Sequence, residues 1–183
     1  MSSWGRLLQT TGILMLSASG RRVADDPHSR VHQGVMYHCS AISTNLANDA
    51  NLDMMITTPA DDAIHMIVEA AAGGLSELRV YEGTVATGGT PEEVMNLKRT
   101  STREWSGVMV SGPTVSDVGT LLSAQVMPGG VKNQAIGSSS AFTLEWICKV
   151  STAYLIRLTN RSGGALRASI GCNHYSAAVI SDT

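Results

Sequence analysis

Five histidines, three cysteines and a few neighbouring carboxylates are the residues with chemistry to offer in this sequence. Their spacing decides what that chemistry could be. His28 and His32 are four apart, which on a helix would bring two imidazoles to one metal, but no third ligand completes the pair. His38 and Cys39 are adjacent, and adjacent residues of a strand point to opposite faces. Cys172 and His174 share a strand face; a single pair is not a site, and both are read as core or strand-end residues. The fifth histidine is His65. Asp49, Asn51 and Asp53 alternate oxygen ligands as calcium loops do, without the glycine and distal glutamate of that motif. Asp61-Asp62 and Glu92-Glu93 are neighbours in loops, whereas acid–base pairs oppose each other across a cleft. There is no G-x-S-x-G, phosphate-binding loop, H-E-x-x-H or H-x-H. The sequence therefore assigns no catalytic, cofactor-binding or metal-ligating residue. The expectation is a non-enzymatic protein without a cofactor.

The elements that would position any site are written in the patterning. The chain has 183 residues, enough for one domain with a core of its own. Charged residues make up 15%, against about 25% in an ordinary soluble domain, and aromatics 4%. The net charge of -2 excludes nucleic-acid binding through bulk positive charge. The small basic cluster Lys98, Arg99 and Arg103 has only Trp105 to stack a base, so it is read as a strand edge or inter-subunit contact. A weakly charged chain rich in Ser, Thr and Gly suits a surface that is buried against other chains. No apolar run approaches the roughly 18 residues of a membrane helix. Arg6 with Leu7, Leu8 and Ile13 to Leu16 loosely resembles a secretory signal, but Gln9 to Gly12 interrupt it, and no cleaved signal is expected. Without one, the Asn160-Arg-Ser162 sequon carries little weight. The odd cysteine count fits a reducing compartment and small-hydrophobe roles in a core.

Residues 1–33 are read as an N-terminal arm, since they show neither sustained alternation nor a helical stripe. Residues 34–183 are read as one antiparallel β-sandwich, jelly-roll-like, with about ten short strands between Gly- and Pro-containing turns. The clearest run places Phe142, Leu144, Trp146, Cys148 and Val150 on one face. Tyr154, Ile156 and Leu158 follow, then the turn Asn160 to Gly164, then Leu166, Ala168, Ile170 and Cys172; the last two runs read as a hairpin. The predicted core is Phe142, Leu144, Trp146, Tyr154, Ile156, Leu158 and Ile170. Earlier strands are expected near 35–44, 52–57, 63–70, 77–82, 95–101, 107–110 and 120–127. Thr90-Pro91-Glu92-Glu93 could open one helical turn. Gly129 to Ala141 is read as a contact loop.

Three blocks of the chain carry a resemblance. They are Leu75-Ser-Glu-Leu-Arg-Val-Tyr-Glu82 with Gly89-Thr-Pro91 and Asn96-Leu-Lys-Arg99; Gly119-Thr-Leu-Leu122 with Pro128-Gly-Gly130; and Glu145-Trp-Ile-Cys-Lys149 with Ala153-Tyr-Leu-Ile-Arg-Leu-Thr-Asn-Arg-Ser-Gly163. From His65 to Tyr175 the sequence resembles small tailed-bacteriophage virion proteins of the capsid decoration, or cement, type. The resemblance implies a β-sandwich on the outer surface of a capsid, made in the host cytoplasm. Its partners would be the major capsid protein and further copies of itself, with a trimer favoured over a dimer. Neither nucleic acid nor a membrane would be bound directly. Capsid docking falls to the arm, with Trp4, Leu7, Leu8, Ile13, Leu14 and Leu16 as anchors. The blocks are turns and strands, so the alternative of a fibre, spike or tail-associated sandwich that binds host carbohydrate stays open.

Overall fold

The computed structural model describes residues 15–16, 22–23, 26–129 and 145–176. Two short strands, β1 (Met15–Leu16) and β2 (Arg22–Val23), pair with each other. Helix α1 (Asp26–Gln33) follows, with Pro27 in its first turn and Arg30 and His32 in its last, where a cation suits the helix dipole. The sequence pattern carries no signal for this helix, which is only two turns long. Its end is set by Gly34 at φ +70°: the Gly34 amide donates to the Val31 carbonyl (3.0 Å) and the Val35 amide to the Arg30 carbonyl (3.1 Å).

From Met36 the chain is β-structure. The strands are β3 (Met36–Leu46), β4 (Asn51–Thr57), β5 (Ile64–Ala72), β6 (Ser76–Glu82), β7 (Val85–Thr87), β8 (Thr90–Pro91), β9 (Met95–Asn96), β10 (Val108–Ser111), β11 (Thr114–Asp117), β12 (Thr120–Met127), β13 (Glu145–Ile147), β14 (Ala153–Asn160) and β15 (Leu166–Ser176). Two antiparallel sheets carry the fold. One has the order β12-β6-β14-β4-β10-β8, the other β13-β5-β15-β3-β9; β7 and β11 form a small ribbon apart. The all-β sandwich expected from the alternation is thus the fold found.

Alternation explains the core. One face of each main strand is apolar and meets its counterpart from the other sheet. The six-stranded sheet contributes Met54, Ile56, Leu78, Val80, Met109, Met127, Tyr154, Ile156 and Leu158. The five-stranded sheet contributes Cys39, Ala41, Ile64, Met66, Val68, Ala70, Ala168, Ile170 and Cys172. With few aromatic rings to fill the gap, sulfur side chains and alanines do so; the Cys39 thiol lies 3.8 Å from the Met54 sulfur. Each fully buried aliphatic side chain contributes about 1.5–3 kcal/mol. Of the predicted core, Tyr154, Ile156, Leu158 and Ile170 are buried, and Trp146 is half-buried against it. Phe142 and Leu144 lie outside the described residues, as does the expected contact loop after Gly129.

Several expectations are corrected. β14 and β15 do not form a hairpin. β14 pairs with β4 and β6, and β15 pairs with β3 and β5 in the opposite sheet. The turn between them is an arch across the sandwich, held by Asn160, whose side-chain amide donates to the carbonyls of Leu46 (2.9 Å) and Gly164 (2.7 Å). The expected strand 95–101 stops at Asn96, which turns the chain by accepting from the Lys98 amide (2.9 Å) through its side-chain oxygen. Thr90–Pro91 is a strand against Val110–Ser111 rather than a helical turn. β13 ends at Ile147, so Val150 leaves the apolar face and is exposed.

Candidate functional site

The outer face of the five-stranded sheet gathers the polar side chains that sequence spacing kept apart. β5, β15 and β13 lie side by side, and this places His65, Tyr175 and Glu145 together. The His65 Nδ1–H donates to Glu145 Oε1 at 2.7 Å, and the Tyr175 hydroxyl donates to the same oxygen. The His65 and Tyr175 rings stack with centroids 4.6 Å apart. From α1, the Arg30 guanidinium lies 5.3 Å from the Tyr175 ring centre, and Val31 packs on Met36, Ile67 and Tyr175. This set ties the three-residue strand β13 and helix α1 to the sheet.

Further along the same face, His38 Nδ1 lies 2.9 Å from Asn173 Oδ1, and the Asn173 amide donates to Glu69 Oε1 at 3.2 Å. Beside them runs a shallow trough over Ser40, Ser169 and Gly171, flanked by the exposed Ile42. Gly171 keeps the trough open, since a side chain there would abut the His38 ring at 3.4 Å.

The other notable surface is the edge strand β12. Its sequence, Thr-Leu-Leu-Ser-Ala-Gln-Val-Met, carries no charge and no proline. It pairs only with β6, so among the described residues its second edge is unpaired. A bulge between Leu121 and Ser123 sets its faces: Ser123 and Gln125 lie on the core side with Val80 and Leu78. Ala124 and Val126 therefore point outward, beside Arg79 and Glu77, and Leu121 shares their side with Tyr81. Leu121 is 52% exposed and Val126 70%. Edge strands are usually blunted by charge, proline or cover, and β12 lacks the first two.

The sequence candidates now have places. His28 and His32 stand one turn apart on α1 with their Nε2 atoms 3.1 Å apart, and among the described residues no group of three or more potential metal ligands gathers. Asp49, Asn51 and Asp53 do not converge. Asp49 accepts from Arg161 (2.6 Å), Asn51 from Thr159 (2.7 Å), and Asp53 is bidentate with Arg157 (2.8 and 2.7 Å). Asn160 of the sequon is fully buried in the arch. Cys39, Cys148 and Cys172 are buried free thiols; burial pushes Cys39 up to about 11 and Cys148 up to about 12, and raises Cys172 well above the usual thiol range. Lys149 bonds Glu82 (2.6 Å) and holds that carboxyl below its ordinary value. His174 is 0% exposed, with neither ring nitrogen hydrogen-bonded, and its ring lies 4.3 Å from that of Trp105 and 5.5 Å from that of Tyr37. Burial drives its pKa down to about 3. The arm anchors Trp4, Leu7, Leu8, Ile13 and Leu14 lie outside the described residues, and of Leu16 only its backbone in β1 is described. Compared with protein-family models, curated proteins and solved structures, the chain matches none.

Proposed function

We propose that this chain is a non-enzymatic virion protein that binds the outer surface of a phage capsid and cements neighbouring capsomers against the pressure of packaged DNA. The observation that carries the reading is the β12 edge: eight residues without a charge, with Leu121 and Val126 exposed and one backbone edge unpaired among the described residues. Such a strand suits coverage by a neighbouring subunit through backbone hydrogen bonds and apolar contact. The three sequence blocks that resemble capsid decoration proteins supply the partner, the major capsid protein, with further copies of this chain beside it. Each contact need hold only weakly, because many copies act on one shell.

The test is the copy number of the chain relative to the major capsid protein in purified virions, by quantitative mass spectrometry. The reading expects a number on the order of hundreds, as many weak contacts over a whole shell require. A copy number of about a dozen, as a single vertex or tail would carry, or absence from particles, overturns it. In a reconstitution with undecorated capsids, Val126→Lys is expected to abolish binding while leaving the fold intact, since the side chain faces solvent.

A further inference from the structure

At one end of the sandwich, away from β12, the loop between β9 and β10 folds against the start of β3 and the end of β15. Between them is a cavity of about 360 Å³ lined by Tyr37, Asp62, Arg103, Glu104, Trp105 and Ser176, among others. That volume lies in the lower part of the roughly 300–1,000 Å³ range of small-molecule sites. In a chain poor in aromatic residues, Tyr37 and Trp105 both face this one cavity.

Three features specify what would fit. First, the half-buried Trp105 offers flat apolar surface, with the mostly buried Tyr37 adjoining it. Second, the charged groups are mixed, with one guanidinium and two carboxylates, which disfavours a highly charged ligand of either sign. Neither Arg103 nor Glu104 has an ion-pair partner among the described residues, and Asp62 accepts a hydrogen bond from Ser176 (2.8 Å). Third, the Trp105 indole N–H is shut off from the cavity, buried without a hydrogen-bond partner as are both nitrogens of His174, so Trp105 offers a ligand ring surface and no donor. A pyranose combines an apolar C–H face with a rim of hydroxyls, each both donor and acceptor. It matches an aromatic wall, carboxylate acceptors and guanidinium donors at once.

We propose that this cavity binds a small neutral saccharide, with Trp105 against the sugar ring and Asp62, Arg103 and Glu104 on its hydroxyls. On a particle surface it would add adhesion to host glycans to the cementing role, and it stands whether or not that role does. The test uses the full ¹⁵N-labelled chain and the indole resonance of Trp105, assigned with Trp105→Phe. The probes are the methyl glycosides of glucose, galactose, mannose, rhamnose and N-acetylglucosamine. At least one is expected to shift that resonance saturably, with a Kd of about 1 mM, while the Trp146 indole stays in place. Arg103→Ala and Asp62→Asn are each expected to weaken binding about fivefold or more, as loss of one charged hydrogen bond requires. Neither position belongs to the hydrophobic core, and the amide oxygen introduced by Asp62→Asn would still accept from Ser176, so a retained amide spectrum checks the fold. The proposal is overturned if no glycoside moves the Trp105 resonance up to about 50 mM. It is equally overturned if the shift persists undiminished in both variants, or if only inorganic phosphate produces it.

Discussion

Replacing His174 with phenylalanine isolates the cost of burying an imidazole that has no hydrogen-bond partner. In the folded chain its pKa is driven down to about 3 by burial, with a smaller contribution from His38, against 6.5 when exposed. Between these values the unfolded chain binds a proton that the folded chain refuses, so stability is full above pH 6.5 and falls as the pH drops towards 3. The slope is about 1.4 kcal/mol per pH unit, which makes the loss at pH 5 about 2 kcal/mol. Phenylalanine fills a similar volume between Tyr37 and Trp105 and removes both unpaired nitrogens. A gain of about 1–3 kcal/mol at neutral pH is expected from the lost desolvation penalty. Urea unfolding followed by circular dichroism, for both proteins at about pH 7.5 and pH 5, reads the difference directly. Carboxylates common to both proteins cancel. The stability gap should widen by about 2 kcal/mol on acidification. A gap that stays constant across the two pH values refutes the reasoning, because it would mean that His174 titrates alike in both states.

Three further outcomes are expected. Gly107→Ala would drive its Cβ into the Trp105 ring, so it should destabilise by about 1–3 kcal/mol and shift the Trp105 fluorescence towards that of an exposed indole. Asp53→Ala leaves the mostly buried Arg157 guanidinium without its bidentate partner, at a cost of about 2–4 kcal/mol in urea unfolding, and Arg157→Met in the same background should recover part of it. The three thiols, buried and with raised pKa values, should react with an aromatic disulfide reagent at about pH 8 only as fast as the chain unfolds.

Period-two alternation locates the long strands of both sheets to within a few residues, because one-sided burial writes itself into the sequence. It cannot say which sheet each strand joins. Tyr154 to Leu158 and Leu166 to Cys172 alternate in the same way whether the turn between them closes a hairpin or arches across the core, and the deciding contact, Asn160 with Leu46, spans more than a hundred positions. The short elements escape for a different reason. Thr90–Pro91 and Met95–Asn96 are too brief to show any period, and α1 is specified by its Gly34 cap more than by a stripe. The polar cluster on the outer sheet is invisible in the sequence for the same topological cause as the arch. His65, Glu145 and Tyr175 meet only because β5 is flanked by β13 and β15. The cavity at the sandwich end draws Tyr37, Asp62, Arg103 and Ser176 from four separate stretches. The alternation in β12 is legible, but its direction is not: the bulge at Leu122 turns Ala124 and Val126 outward.

The pairing of β3 with β15 also sets the order in which the molecule can come into being. Among the described residues β3 is the first long strand to leave the ribosome and β15 the last, yet β15 fills the gap between β3 and β5 in their sheet. Until β15 emerges, that sheet has a missing middle, and Cys39 and Ala41 on β3 have no sheet partner joining them to Met66 and Val68 on β5. Folding must therefore wait for β15 and proceed through long-range pairing, which is slow. During that wait β12 is already synthesised, uncharged and able to pair with its counterpart on another nascent chain. High-level production should thus be limited by aggregation before β15 has paired rather than by the stability of the finished sandwich.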